Sequence, residues 1–146
     1  MITVINRLNK ALNEVPQMVL KQTTALKEKT TPEKWSKLEI LGHLIDSGIN
    51  NLQRFTEIRF MASPYVVRSY PQNELVIANE YQKAAPQELL NLWLAVNERI
   101  KLIMLAVNEE ELSLPLKLGD DSSKDLRFLM TDYIDHLEHH LNQLKP

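Results

Sequence analysis

Apolar residues along this chain fall into helical stripes separated by proline-marked breaks. Ile5, Leu8, Leu12, Val15, Val19 and Leu26 recur at spacings of three, four and seven, which predicts an amphipathic helix over residues 3–29. Pro16 lies inside it and is expected to kink it. Leu38, Leu41, Ile45, Leu52, Phe55 and Ile58 form a second stripe, reaching about residue 61, ahead of Pro64. Its start is marked by Ser36-x-x-Glu39, a capping box in which each side chain can bond the other residue's backbone amide. Residues 63–72 read as a loop and 73–84 as a short helix. Pro86 suits the first turn of a third long helix. There Leu89, Leu90, Leu92, Trp93, Val96, Ile100, Ile103, Met104 and Val107 cover more than one stripe, so this helix is expected to be the most buried. Residues 112–118 alternate around Pro115 as an extended strip, and 119–123 form a turn in which Ser122 or Ser123 can cap the next helix. That last helix spans 124–144 and carries Leu126, Leu129, Met130, Tyr133, Ile134, Leu137, Leu141 and Leu144. Trp93 and Tyr133 read as core residues.

Four long helices with short connections predict an all-α, four-helix bundle with a short extra helix in the crossover, formed as one domain over residues 1–146. Three glycines and no Asn-Gly or Asp-Gly step leave few places for hairpins. The net charge of −2 leaves no electrostatic footprint for nucleic acid. Lys27, Lys29, Lys34 and Lys37 alternate with Glu28, Glu33 and Glu39, as on a solvated face. No apolar run is long enough for a membrane span, and the first residues lack the pattern of a signal peptide, so a cytoplasmic protein is expected. The chain has no cysteine, so any metal site must be built from His, Asp, Glu, backbone or water.

The four histidines are unevenly placed. His136, His139 and His140 cluster near the C-terminus, and His43 lies in the apolar stretch of the second helix. His136 and His140 stand at i and i+4, one turn apart on one face, a separation at which two imidazoles can share a metal. Two nitrogens alone under-coordinate a metal. His43 can be a third ligand or a hydrogen-bonded core residue, and the C-terminal cluster can instead complement the helix dipole. His139 sits about 100° around the helix from His140 and reads as a flank. Asp46, three residues after His43, and Asp132, four before His136, are the carboxylates placed to orient a ring or act as general base. Gly42 would allow close approach of another segment, and Asn50 can reach a pocket mouth.

Two stretches, WSKLEILGHLIDS at 35–47 and DYIDHLEHHLNQL at 132–144, resemble the DinB-like superfamily of bacterial helical metalloproteins. The segments around Tyr70-Pro71 and Pro86-Gln87 resemble its middle region, so the likeness runs along the whole chain. It implies a bundle with up-down-down-up connectivity and a three-histidine site for a divalent transition metal, nickel or zinc, with His43, His136 and His140 as ligands. It also implies a metal-dependent enzyme acting on a small-molecule substrate, as a low-molecular-weight-thiol transferase or a hydrolase. The alternative is a non-catalytic metal- or ligand-binding stress-response protein. Pairing through an exposed helix face into a homodimer is a further expectation.

Overall fold

A computed structural model describes residues 1–119 and 122–145. Its four long helices are α1 (Ile2–Lys21), α2 (Lys37–Glu57), α4 (Pro86–Ala106) and α6 (Leu126–Leu144), with short helices α3 (Gln72–Ala78) and α5 (Glu109–Leu112) in the connections. Helices α1 and α2 each pack on both α4 and α6. Side-chain contacts fix the directions. Arg7 reaches Glu138, and Gln22 donates to the Leu144 carbonyl, so α1 and α6 run the same way. On α2, Phe55 meets Tyr133 while His43 meets His140, so α2 runs against α6. After α2 the crossover carries the chain back to that helix's own start, where Gln82 bonds Ser36. Helix α4 therefore begins beside the N-terminus of α2 and runs parallel to it. The result is an up-down-down-up four-helix bundle.

Helix α2 is the most enclosed element, not α4. Burial is unbroken over residues 38–48 of α2, whereas Leu92, Leu102 and Leu105 of α4 face solvent. The breadth of the α4 pattern thus reflects apolar residues on its outer face. On α2 the enclosed surface includes Glu39, His43, Asp46 and Ser47, polar residues that interrupt the apolar stripe. Trp93 and Tyr133 lie in the core, and the Tyr133 hydroxyl donates to Asn97 Oδ1 at 2.6 Å.

Several boundaries differ from the periodicity. Helix α1 passes through Pro16 but stops at Lys21, and a 3₁₀ turn at Ala25–Lys27 brings Leu26 into the core. The helix expected over 73–84 divides at Glu80, whose φ of 52° is left-handed, and resumes as a 3₁₀ turn at Tyr81–Lys83. Asn108 and Glu111 form a capping box that starts α5, so Leu112 ends a helix before the extended strip begins. That strip is β2 (Pro115–Lys117), flanked in parallel by β1 (Tyr65–Val66) and antiparallel by β3 (Ser123–Asp125). Pro115 is tolerated because it opens its strand. Asp125, rather than Ser122 or Ser123, caps α6 by accepting from the Phe128 amide at 2.8 Å, since the helix starts at Leu126 and Asp125 directly precedes it. In the expected turn at 119–123, Asp120 and Asp121 lie outside the described residues, as does Pro146.

The capping box of α2 forms as its sequence predicts. Ser36 Oγ accepts from the Glu39 amide at 3.1 Å, and Glu39 accepts from the Ser36 amide at 2.8 Å. Glu39 also pairs with Lys29 at 2.9 Å, and Ser36 Oγ donates to Gln82 Oε1 at 2.6 Å. One serine therefore both starts α2 and holds the crossover.

Gly42 faces the crossover. A Cβ there would stand 2.1 Å from Tyr81 Cδ2 and 2.2 Å from Tyr81 Cγ, so the ring lies directly on the α2 backbone. Gly48 serves the same purpose against Val96 of α4, where a Cβ would stand at 2.8 Å.

Two substitutions test this packing. Ser36→Ala should lower unfolding free energy by about 1–2 kcal/mol in denaturant titration, from the lost cap and the loosened Gln82. Gly42→Ala should lower the melting temperature even though alanine favours helix by about 1 kcal/mol, because displacing Tyr81 costs about 1–3 kcal/mol. A melting temperature at or above that of the wild type would show that the ring is free to move.

Candidate metal centre

Helix geometry brings three imidazoles together from two elements. His43 projects from the enclosed stretch of α2, and antiparallel α6 sets His136 and His140 against it, one turn apart. Among the described residues, one ring nitrogen from each of the three lies within 4.8 Å of the others. His43 Nε2 stands 3.2 Å from His136 Nε2. Nitrogens bound at ~2.0–2.1 Å to a tetrahedral metal stand roughly 3.3 Å apart. The ring centroids are 5.1 Å apart for His43–His136, 4.7 Å for His43–His140 and 4.6 Å for His136–His140, each pair edge-on.

The surrounding groups set the chemical state of the rings. His140 Nδ1 lies 3.0 Å from Gln143 Oε1, an oxygen that only accepts, so Nδ1 carries the proton and Nε2 keeps its lone pair. His136 Nδ1 lies 3.4 Å from the Ser47 hydroxyl. The Trp35 ring tilts over His43 at 4.9 Å. Burial first, then the neighbouring imidazoles, pushes His43 and His136 down to about 4. Burial lowers His140 as well, against the pull of Gln143. All three rings are therefore neutral at pH 7, the state in which imidazole binds a metal.

The donor set fits a divalent transition metal. Neutral nitrogens facing one point repel one another unless a proton or cation lies between them. A proton shared by His43 and His136 answers only one of the three contacts. The fully buried His43 Nδ1 has no hydrogen-bond partner among the described residues.

The cluster lies between two openings. A cavity of about 510 Å³ is lined by His140, Gln143, Trp35, Lys34 and Asn73. A second, of about 250 Å³, is lined by His136, Asp132, Arg54, Tyr70 and Ser47 among others.

The remaining expected site residues are placed differently. Asp46 is buried, and its Oδ1 accepts from the Tyr81 hydroxyl at 2.7 Å and from Asn79 Nδ2 at 3.0 Å. Burial raises its carboxyl above the usual range, against those two donors. Among the described residues it bonds no histidine ring. Asp132 lies on the outer side of α6 and reaches the smaller cavity beside His136. Partial enclosure, then Asp135, raises its carboxyl, while Arg54 pulls it down. His139 is exposed and lies outside the cluster, beside Gln143. Asn50 donates to the Asp46 carbonyl at 2.9 Å and lines a separate cavity of about 200 Å³. Ser47, Gln143 and Trp35 were not singled out by sequence reasoning as neighbours of the rings. The first two carry a signal, since Ser47 is i+4 from His43 and Gln143 is i+3 from His140.

Comparisons with known proteins place the fold. Among solved structures, YfiT from Bacillus subtilis, described as a probable metal-dependent hydrolase with an unusual four-helix bundle topology, matches at a TM-score of 0.84 and 19% identity, over 97% of this chain and 83% of that one. The mycothiol-dependent maleylpyruvate isomerase matches at a TM-score of 0.67 and 14% identity. A histidine-to-alanine variant of that isomerase matches at 0.71 and 12%. In both isomerase comparisons the match covers 95% of this chain and 58% of the other. At these identities the likeness concerns the fold. No curated protein matches the sequence. The sequence profile of the DinB superfamily matches residues 3–144, nearly the whole chain, and the chain belongs to that superfamily.

Proposed function

We propose that this protein is a metal-dependent enzyme that uses a divalent transition metal, nickel or zinc, on His43, His136 and His140 to activate a small nucleophile, in the first instance a low-molecular-weight thiol. The observation that carries the reading is the convergence of three neutral imidazole nitrogens within 4.8 Å, beside an open cavity of about 510 Å³. Three protein nitrogens leave coordination positions for a ligand from solution, as in catalytic rather than structural sites. When bound, the metal supplies Lewis acidity, which favours the ionised form of a coordinated thiol or water.

The chain's own groups would then do the following. Gln143 and Ser47 hold the outer nitrogens of His140 and His136, keeping the inner nitrogens aimed at one point. Trp35 shields His43 and forms part of the cavity wall. Asp46 acts at a distance, holding Tyr81 and Asn79 so that the crossover stays closed over α2. Asp132 is the carboxylate that shares a cavity with His136, and we assign it the role of proton acceptor. A thiol reading fits the absence of cysteine, since the sulfur must come from a small molecule. The mycothiol dependence of the isomerase that shares the fold supports the same class.

A hydrolytic reaction is the second reading, favoured by one observation. The raised Asp132 carboxyl beside His136 suits a base that takes a proton from water.

Elemental analysis of the purified protein should find bound nickel or zinc in the wild type and little in His140→Ala. Gln143→Ala should retain metal about 10–100-fold more weakly, as expected when an outer hydrogen-bond partner is removed. Equal metal in wild type and His140→Ala would sink the metal reading. Loaded wild type should also accelerate addition of a small thiol to an electrophile over His140→Ala. No acceleration alongside hydrolysis of an activated ester would shift the assignment to the second reading.

A further inference from the structure

The smaller cavity contains a cation that, among the described residues, no carboxylate contacts. Arg54 projects from α2, two turns beyond Ser47 and half-buried. Among the described residues no carboxylate lies within ion-pair distance of it, as also for Arg68 and Arg99, whereas Arg7, Arg59 and Arg127 each have such a partner. Its guanidinium carries five N–H groups. One donates to the Arg68 carbonyl and one, at 3.4 Å, to Asn51 Oδ1. Its Cζ lies over the Tyr70 ring, 5.4 Å from the ring centroid. Arg54 is thus held by a backbone carbonyl, an amide and an aromatic face, and it feels the charge of Asp132 across the cavity without an ion-pair contact.

We infer that Arg54 binds a carboxylate of the substrate in the cavity it shares with His136, making this a site for small organic acids. The cavity volume, about 250 Å³, lies just below the ~300–1,000 Å³ typical of larger ligands, which suits a small acid or the acid end of a longer molecule. The unused N–H groups of a guanidinium match the two oxygens of a carboxylate. Ser69, also in the lining, offers a further hydrogen-bonding group. Asp132 lines the same cavity and opposes an anion, and its carboxyl is raised by partial enclosure and by Asp135 while Arg54 lowers it. With the acid held there, the rest of the substrate lies beside His136, while the larger cavity beside His140 remains open for a second reactant. This inference rests on the metal-dependent reading only in placing the acid beside the metal.

Titration calorimetry of the full chain with succinate tests it, on metal-loaded protein and on protein stripped by a chelator. Succinate should bind the wild type in both states and the neutral analogue succinamide in neither. Arg54→Gln should weaken succinate about tenfold or more in both states, as for loss of a charge-assisted contact, and Arg54→Lys should recover part of the affinity. The inference is overturned if succinamide binds as well as succinate, if Arg54→Gln binds as tightly as wild type, if succinate does not bind the wild type, or if its binding disappears with the metal. Should Arg54→Gln fail to give a folded melting transition, the succinate and succinamide comparison on the wild type still decides. Succinate binding by a wild type that takes up no added nickel or zinc would sink the metal reading and leave this inference standing.

Discussion

Residues 38–48 of α2 are all buried, and Glu39, His43, Asp46 and Ser47 lie among them. Placing that many polar groups inside a small domain is costly unless each has a partner, because an unsatisfied buried group loses about 1–3 kcal/mol of hydration. The rest of the bundle can be read as the set of elements that supply those partners. Lys29 and the backbone of Ser36 take Glu39. Tyr81 and Asn79 of the crossover take Asp46. Helix α6 brings His136 to Ser47 and to His43. Among the described residues, His43 Nδ1 and Asp46 Oδ2 are the atoms of the row left without a hydrogen-bond partner, while His43 Nε2 faces His136.

This constraint also accounts for the connectivity. If α2 were followed directly by a neighbouring antiparallel helix, Asp46 would lose the crossover segment that bonds it. The chain instead returns along α2 through α3 and Tyr81–Lys83, laying the Tyr81 ring on Gly42, before α4 starts parallel to α2. Glycine at 42 is thus part of the same device, since any side chain there would push Tyr81 from Asp46. The three short strands tie that crossover to the connection entering α6, at the end of the bundle where Tyr65 bonds Glu57.

The sequence made much of this legible for identifiable reasons. Long apolar stripes and the Ser36–Glu39 box report local structure, and both α2 and α6 fall within a few residues of where periodicity puts them. The i, i+4 spacing of His136 and His140 is likewise local. What failed was non-local. Leu26 fits the stripe of α1, yet a turn rather than a helix buries it, because Gln22 is held by the end of α6. The wide pattern of α4 suggested deep burial, but three of its leucines face solvent, and the enclosed helix is the one whose stripe is broken by polar residues. Spacing could not decide whether His43 faced the C-terminal pair, since that depends on how α6 packs against α2. The position of Asp46 beside His43 in sequence suggested a ring contact, and the crossover, invisible to helix geometry, took that carboxylate instead. Arg54 gave no signal at all, because a cation eleven residues beyond His43 becomes notable only once the cavity is seen.

The central claim is that the buried row on α2 is completed by a metal on three histidines, and metal-linked stability tests it most directly. A ligand that binds only the folded state at 100 times its Kd adds about 2.7 kcal/mol. Thermal unfolding of chelator-stripped protein, followed as nickel or zinc is titrated in, should show a melting temperature that climbs with metal concentration in the wild type and stays flat in His43→Ala. Wild-type curves that superimpose with and without metal would contradict the account.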